Sequence, residues 1–236
     1  MKAALLVSSL LSLIEAGPVP YFFSTKLDHY SAGGDDTPMF NMKYLVDTQY
    51  FYNSTSGLPR PIFFYAGNEG AIETFYANSG FMTTTLAAEM GALVVFGEHR
   101  YFGSSFPFEK EDAFKEGNNS YLTVENTMMD YVELIKYIKV KYDAQDKAVI
   151  TFGGSYGGML AAWLRMKFPH VFQGALAASA PLVYFKDSTT APEDEFSMIA
   201  TQDFNNTEVG PVCAEGIKYA LEQLNTSDSS SYDTMN

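Results

Sequence analysis

Ser155 stands in Gly153-Gly154-Ser155-Tyr156-Gly157-Gly158, a G-x-S-x-G sequence whose serine can serve as the nucleophile of an acyl transfer. A serine hydroxyl attacks a carbonyl only when a base takes its proton and hydrogen-bond donors hold the oxyanion that forms. The Tyr156 N–H, next to the nucleophile, supplies one donor. The second comes from a loop after an earlier strand. Here that loop is Gly67-Asn68-Glu69-Gly70, with Gly67 or Asn68 as the source. The base is harder to find. Where this pattern sits on a strand-to-helix turn, the triad follows in the order serine, acid, histidine. His29 and His99 precede Ser155. His170 follows it, but only after Phe168-Pro169, a full helix length away. No histidine of this sequence fits, and no aspartate on a later strand offers itself.

Four further residues are candidates for touching a substrate. Glu69 lies in the oxyanion loop. Glu98 and Arg100 end an apolar run at Gly97-Glu98-His99-Arg100. They read either as contacts for a substrate terminus or as a structural ion pair. Met159, four residues beyond Ser155 on the same helical face, reads either as the wall of a pocket for a small ring or as core packing.

These residues need elements to hold them. Residues 147–152 form a short β-rich run into the serine, and residues 156–167 form a helical run closed by Phe168-Pro169. Strand, sharp turn and helix are the setting the motif requires. Side chains at positions 153 and 157 would collide where strand and helix approach. Residues 61–66 and 92–96 read as two more buried strands, with a helix over 83–90 between them that stops at Gly91. Residues 123–142 read as a longer helix. Thr123 caps it, and Val124, Met128, Tyr131, Ile135, Ile138 and Tyr142 line one face. Its acids Glu125, Asp130 and Glu133 precede its lysines, as the helix dipole favours. Residues 174–180 give a fourth strand, and residues 41–52 an antiparallel lead-in strand. Buried strands alternating with helices predict a parallel sheet covered on both faces. Beyond Pro181 the pattern turns polar, with helices at 195–201 and 213–224 and a Ser/Asp-rich tail from 226.

Hydrophobic residues make up 47% and charged residues 18%, which fits a globular chain rather than a disordered one. A net charge of -13 argues against nucleic acid and anionic membranes as partners. Residues 1–16 resemble a secretory signal: Lys2, an apolar core, and the small-residue exit Glu15-Ala16-Gly17. That core is too short for a membrane span. Sequons at Asn53, Asn118, Asn205 and Asn225, behind that segment, suit a glycosylated product of the secretory route. Cys213 is the single cysteine: a free thiol, an intermolecular bridge, or half of a bridge. It has no local Cys/His cluster, so no metal is expected, and no cofactor is called for.

Five segments together resemble the serine carboxypeptidase family S28. They are Lys26-Leu27-Asp28-His29-Tyr30, Phe64-Tyr65-Ala66-Gly67-Asn68-Glu69-Gly70, Gly97-Glu98-His99-Arg100-Tyr101-Phe102-Gly103-Ser104-Ser105, Gly153-Gly154-Ser155-Tyr156-Gly157-Gly158-Met159-Leu160 and Gly174-Ala175-Leu176-Ala177-Ala178-Ser179-Ala180-Pro181. The resemblance implies an α/β-hydrolase core interrupted by a helical cap, with Ser155 as nucleophile. It implies an exopeptidase acting on peptides with proline near a terminus, of carboxypeptidase or dipeptidyl-peptidase type. Family members carry their Asp and His in a later half, so the chain is expected to hold the front half of the core. The missing partner of Cys213 has the same explanation. The expected divisions are a signal peptide (1–16), the N-terminal part of the hydrolase domain (17–182) and the start of the cap (183–236). Two other readings are an α/β-hydrolase esterase and a secreted non-catalytic protein that binds peptides or partners.

Overall fold

The structure is a computed structural model that describes residues 17–32, 36–53 and 57–226. The signal-like segment 1–16 and most of the Ser/Asp-rich tail lie outside the described residues. Chain contacts separate two units, one up to Pro181 and one from Leu182.

The first unit is built on six strands: β1 (Val19–Lys26), β2 (Met39–Asp47), β3 (Ile62–Ala66), β4 (Leu93–Gly97), β5 (Val149–Gly154) and β6 (Gly174–Ala178), in the order β1-β2-β4-β3-β5-β6. β1 and β2 join antiparallel, and β4, β3, β5 and β6 run parallel to one another. This is an incomplete α/β-hydrolase core. The parallel strands are apolar runs because both of their faces are covered. Ile62, Phe64, Leu93 and Val95 point to one side, into a core with α3 (Val124–Lys141) and α4 (Tyr156–Lys167). Phe63, Val94, Phe96 and Phe152 point to the other, against α1 (Ile72–Ala77), a π-helical stretch (Phe81–Leu86) and α2 (Ala87–Met90).

The helix expected over 83–90 is thus split between the π-helical stretch and α2. It ends as expected at Gly91, which takes φ 63°. β1 and α1 are elements the sequence pattern did not announce. The lead-in strand begins two residues earlier than expected and stops at Asp47. The α3 cap forms: the Asn126 N–H donates to Thr123 Oγ1 at 3.1 Å.

Asp130 corrects the sequence reading. Read as one of the acids that precede the lysines of α3, it is fully buried and does more than complement the helix dipole. The second unit holds α5 (Glu195–Asn205) and α6 (Gly210–Thr226), each longer than its apolar pattern suggested. No helix among the described residues is long and apolar enough to cross a membrane.

Candidate active site

β3, β4 and β5 are parallel, so Gly67, Glu98 and Ser155, which follow them, share one edge of the sheet. That is where open α/β sheets bind ligands. Ser155 turns the chain from β5 into α4 with φ 55° and ψ -125°, a conformation that costs a non-glycine residue energy and is kept only where its surroundings impose it. The imposing groups are visible. The Ser155 N–H donates to the Ala178 carbonyl at 3.0 Å, and the Met159 N–H returns to the Ser155 carbonyl at 3.1 Å. A Cβ at Gly153 would lie 2.0 Å from the Gly157 carbonyl oxygen. One at Gly157 would lie 2.7 Å from the Ala66 carbonyl oxygen. Strand and helix therefore meet as closely as the glycine spacing predicted. Ser155 itself is exposed.

The loop after β3 is fixed from two sides. Tyr131, fully buried on α3, donates to the Gly67 carbonyl at 2.9 Å. The Gly67 N–H donates to the Gly97 carbonyl at 3.0 Å. That bond removes Gly67 as an oxyanion donor and corrects one of the two sequence candidates. Of the two candidates, the Asn68 N–H makes no such bond among the described residues. Asn68 is 8% exposed. Its Nδ2 donates to the Gly154 carbonyl at 3.4 Å, and its Oδ1 is buried beside Gly157 with no hydrogen-bond partner. Glu69, by contrast, is exposed and stands close enough to Tyr156 for its charge to act there.

Tyr156 brings its hydroxyl to His99 Nε2, 3.0 Å away. His99 Nδ1 faces the Arg100 carbonyl at 2.7 Å. A carbonyl only accepts, so Nδ1 carries the proton, and Nε2 of the neutral ring accepts from Tyr156. Burial lowers the His99 pKa from 6.5 to about 4 and raises that of Tyr156 to about 12, with Glu69 and Glu125 adding to the latter. Both groups therefore stay neutral near pH 7.

Residues 25–232 of the 236 match the family model described as serine carboxypeptidase S28. The chain belongs to that family. It is 43% identical over 206 residues to lysosomal Pro-X carboxypeptidase of Homo sapiens, a match covering 86% of this chain and 39% of that protein. It is also 43% identical over 193 residues to prolyl carboxy peptidase like protein 5 of Caenorhabditis elegans, covering 80% and 36%. The chain thus spans well under half the length of these relatives. Among solved structures, the peroxisomal alpha-beta-hydrolase Lpx1 of Saccharomyces cerevisiae superposes with a TM-score of 0.53 at 13% identity, over 76% of this chain and 51% of that one. That likeness supports the fold alone.

Within this S28 chain, two substrate candidates are walled off. Glu98 is fully buried. It accepts from the Ile72 N–H (3.1 Å), the Ser104 N–H (2.8 Å) and Ser105 Oγ (2.7 Å), so it ties α1 and the following loop to β4. Arg100 is fully buried too, and all five of its N–H groups have acceptors. Nε and Nη2 grip Asp130, while Nη1 and Nη2 also serve the carbonyls of Lys26, Leu27 and Tyr121. The ion pair read from the sequence is Arg100 with Asp130, not Arg100 with Glu98. Neither Glu98 nor Arg100 is placed to reach a substrate. Met159 is buried to all but 9%.

None of the three histidines is placed to serve as the base. His29 Nε2 lies 2.8 Å from Asp130 Oδ1. His99 has both nitrogens engaged. His170 follows α4, about 18 Å of helix from Ser155 at 1.5 Å per residue. No group of three or more His, Cys, Asp or Glu among the described residues is arranged to hold a metal.

Proposed function

We propose that this chain carries the nucleophile half of a serine exopeptidase that cleaves beside proline. The observation that carries the reading is the strained, exposed Ser155 at the C-terminal end of β5, in a chain of the S28 family. Ser155 Oγ attacks the scissile carbonyl carbon, and the carbonyl oxygen, as it becomes an oxyanion, is held by the N–H groups of Tyr156 and Asn68. The proton of Oγ passes to a histidine base oriented by an aspartate. In this reading both lie in sequence beyond the 236 residues, in a chain of the relatives' length. The base then protonates the leaving amine, and water completes the cycle by the same route. Proline preference rests on the relatives' printed names. So does a lysosomal or secreted location, together with the signal-like segment 1–16 and the sequons at Asn53, Asn118, Asn205 and Asn225. Glu69, exposed beside the elbow, is the remaining candidate for a substrate contact.

The test is turnover of peptides with proline at the second position from either end, together with fluorophosphonate labelling. Both are run on the 236-residue chain and on a chain extended to the relatives' length. Only the extended chain is expected to cleave, and Ser155→Ala to abolish both signals. Cleavage that survives Ser155→Ala would overturn the reading. So would an extended chain that leaves Ser155 unlabelled.

A further inference from the structure

We infer that His99 is a positioning residue for the oxyanion site: a neutral hydrogen-bond acceptor that holds Tyr156, and through it the elbow, across the end of the sheet. The inference rests on the reading of Ser155 as nucleophile. His99 lies just past β4 and Tyr156 just past β5, with β3 between them. The Tyr156 side chain therefore spans the end of β3, and its bond to His99 Nε2 ties together the ends of β4 and β5, the strands on either side of the one whose loop carries Asn68. The rings add to the hold, with centroids 5.4 Å apart.

The bond has a fixed direction. The Arg100 carbonyl sets the His99 tautomer. That carbonyl belongs to a residue whose guanidinium is bound to Asp130 and to three backbone carbonyls, on β1, just after β1 and just before α3. The acceptor at Nε2 is thus locked from behind. His99 is 1% exposed and so is not titrated by direct contact with solvent. In a fold of this kind a buried histidine beside the nucleophile invites the role of base. The geometry assigns it a different one, because the nitrogen facing the site is already occupied by a hydroxyl that donates to it.

The consequence is specific to the transition state. The Tyr156 N–H points where the strained Ser155 backbone aims it, and among the described residues the hydrogen bond of the Tyr156 hydroxyl goes to His99, while its ring packs against the core. Releasing that anchor loosens a donor that matters when the oxyanion forms and little when the substrate first binds. A misplacement of about 1 Å can cost about 100-fold in rate. The expected effect is therefore a fall in kcat of roughly 10- to 100-fold with KM changed by no more than about twofold.

Three variants of the chain extended to the relatives' length test this, each checked for folding by its unfolding midpoint. His99→Leu removes the acceptor, and Tyr156→Phe removes the donor while keeping the ring. His99→Gln offers a side-chain oxygen at the Nε2 position. His99→Leu and Tyr156→Phe should each lower kcat, with the double variant no worse than the poorer single one. His99→Gln should recover most of the loss. Folded His99→Leu with unchanged kcat would overturn the inference. So would additive losses, or a His99→Gln variant as poor as His99→Leu at equal stability. Should His99→Leu fail to fold, Tyr156→Phe decides alone. The rate of fluorophosphonate labelling separates this failure from that of the peptidase reading. A wild-type Ser155 that does not label ends both, whereas wild-type labelling in every variant ends only the role of His99.

Discussion

The Arg100 guanidinium holds Asp130 by two parallel bonds, Nε to Oδ2 at 2.7 Å and Nη2 to Oδ1 at 2.8 Å, with both side chains fully buried. Asp130 is shared further. Thr25 Oγ1 donates to its Oδ1 at 3.0 Å, and His29 Nε2 meets the same oxygen at 2.8 Å. One carboxylate thus gathers the end of β1, the loop after β4 and the middle of α3. The network lies directly behind the His99–Tyr156 pair, so it stiffens the edge of the sheet that carries Ser155.

Losing one partner of such a pair leaves the other charge buried and uncompensated, which costs about 3–5 kcal/mol. Asp130→Asn preserves shape and removes the charge Arg100 needs. It should lower the unfolding free energy by about that amount, read from the urea midpoint at constant slope. An exposed control, Glu133→Gln, breaks only the pair with Lys136 and should cost less than about 1 kcal/mol. Equal effects from the two would show that the buried network carries no special weight.

The glycines of the chain are not interchangeable with one another. Gly153→Ala places a methyl 2.0 Å from the Gly157 carbonyl oxygen, which is backbone and cannot swing aside. It should destabilise by at least about 1–3 kcal/mol and distort the elbow, with labelling of Ser155 lost in an extended chain. Gly216→Ala, inside α6, meets nothing within 4 Å and should stabilise by about 0.4–1 kcal/mol. Differential scanning calorimetry of the two variants checks both signs at once.

The parts of this site that were legible in the sequence are those fixed by local chemistry. Gly153 and Gly157 flank Ser155 because backbone must approach backbone there, and a short-range pattern records that need. The cap at Thr123 and the stop at Gly91 are local in the same sense. What escaped was long-range. Asp130 sits in a helix with charged residues on its open face, so by pattern it belongs to that face. Only its partners betray its burial, and they lie 30 residues away at Arg100 and 105 away at Thr25. The neighbouring Asn126 and Thr127 are buried as well, which widens the inward face of α3 beyond its apolar stripe. Gly67 escaped for another reason. Which of two adjacent N–H groups stays open depends on a bond to β4, and that bond exists only once the strands are in register.

Stability should also carry the mark of His99. Burial holds its folded pKa near 4, against an ordinary value of 6.5. The attraction of Asp130 and the bond to the Arg100 carbonyl oppose that shift, and the charge of Arg100 adds to it. Between those two pH values the unfolded chain binds a proton at this position and the folded chain does not. The contribution is therefore complete above about pH 6.5 and is lost as pH falls toward 4. Replacing the ring in His99→Gln removes this term. The difference in unfolding free energy between wild type and variant should shrink steadily from pH 7 to pH 4, in urea titrations at fixed ionic strength. A difference that does not vary with pH would mean that His99 titrates alike in both states.

β6 ends the sheet among the described residues, pairing with β5 on one side only. Its sequence, GALAA, contains no charge and no proline, the two usual protections of an open strand edge. Leu176 is 45% exposed on it. The 17–236 segment expressed by itself should accordingly self-associate as concentration rises. Leu176→Lys places a charge on the strand and should shift the population toward monomer, read by sedimentation velocity. The α5–α6 unit offers a rival cause, because Phe196, Met198, Ile199 and Phe204 are also exposed there. A 17–181 segment separates the two. If the edge drives association, this shorter segment still associates and still responds to Leu176→Lys. If removing residues 182–236 alone yields monomer, the open edge is not the cause. An extended chain that pairs β6 with a further strand should stay monomeric on this face, and there Leu176→Lys should destabilise instead of helping.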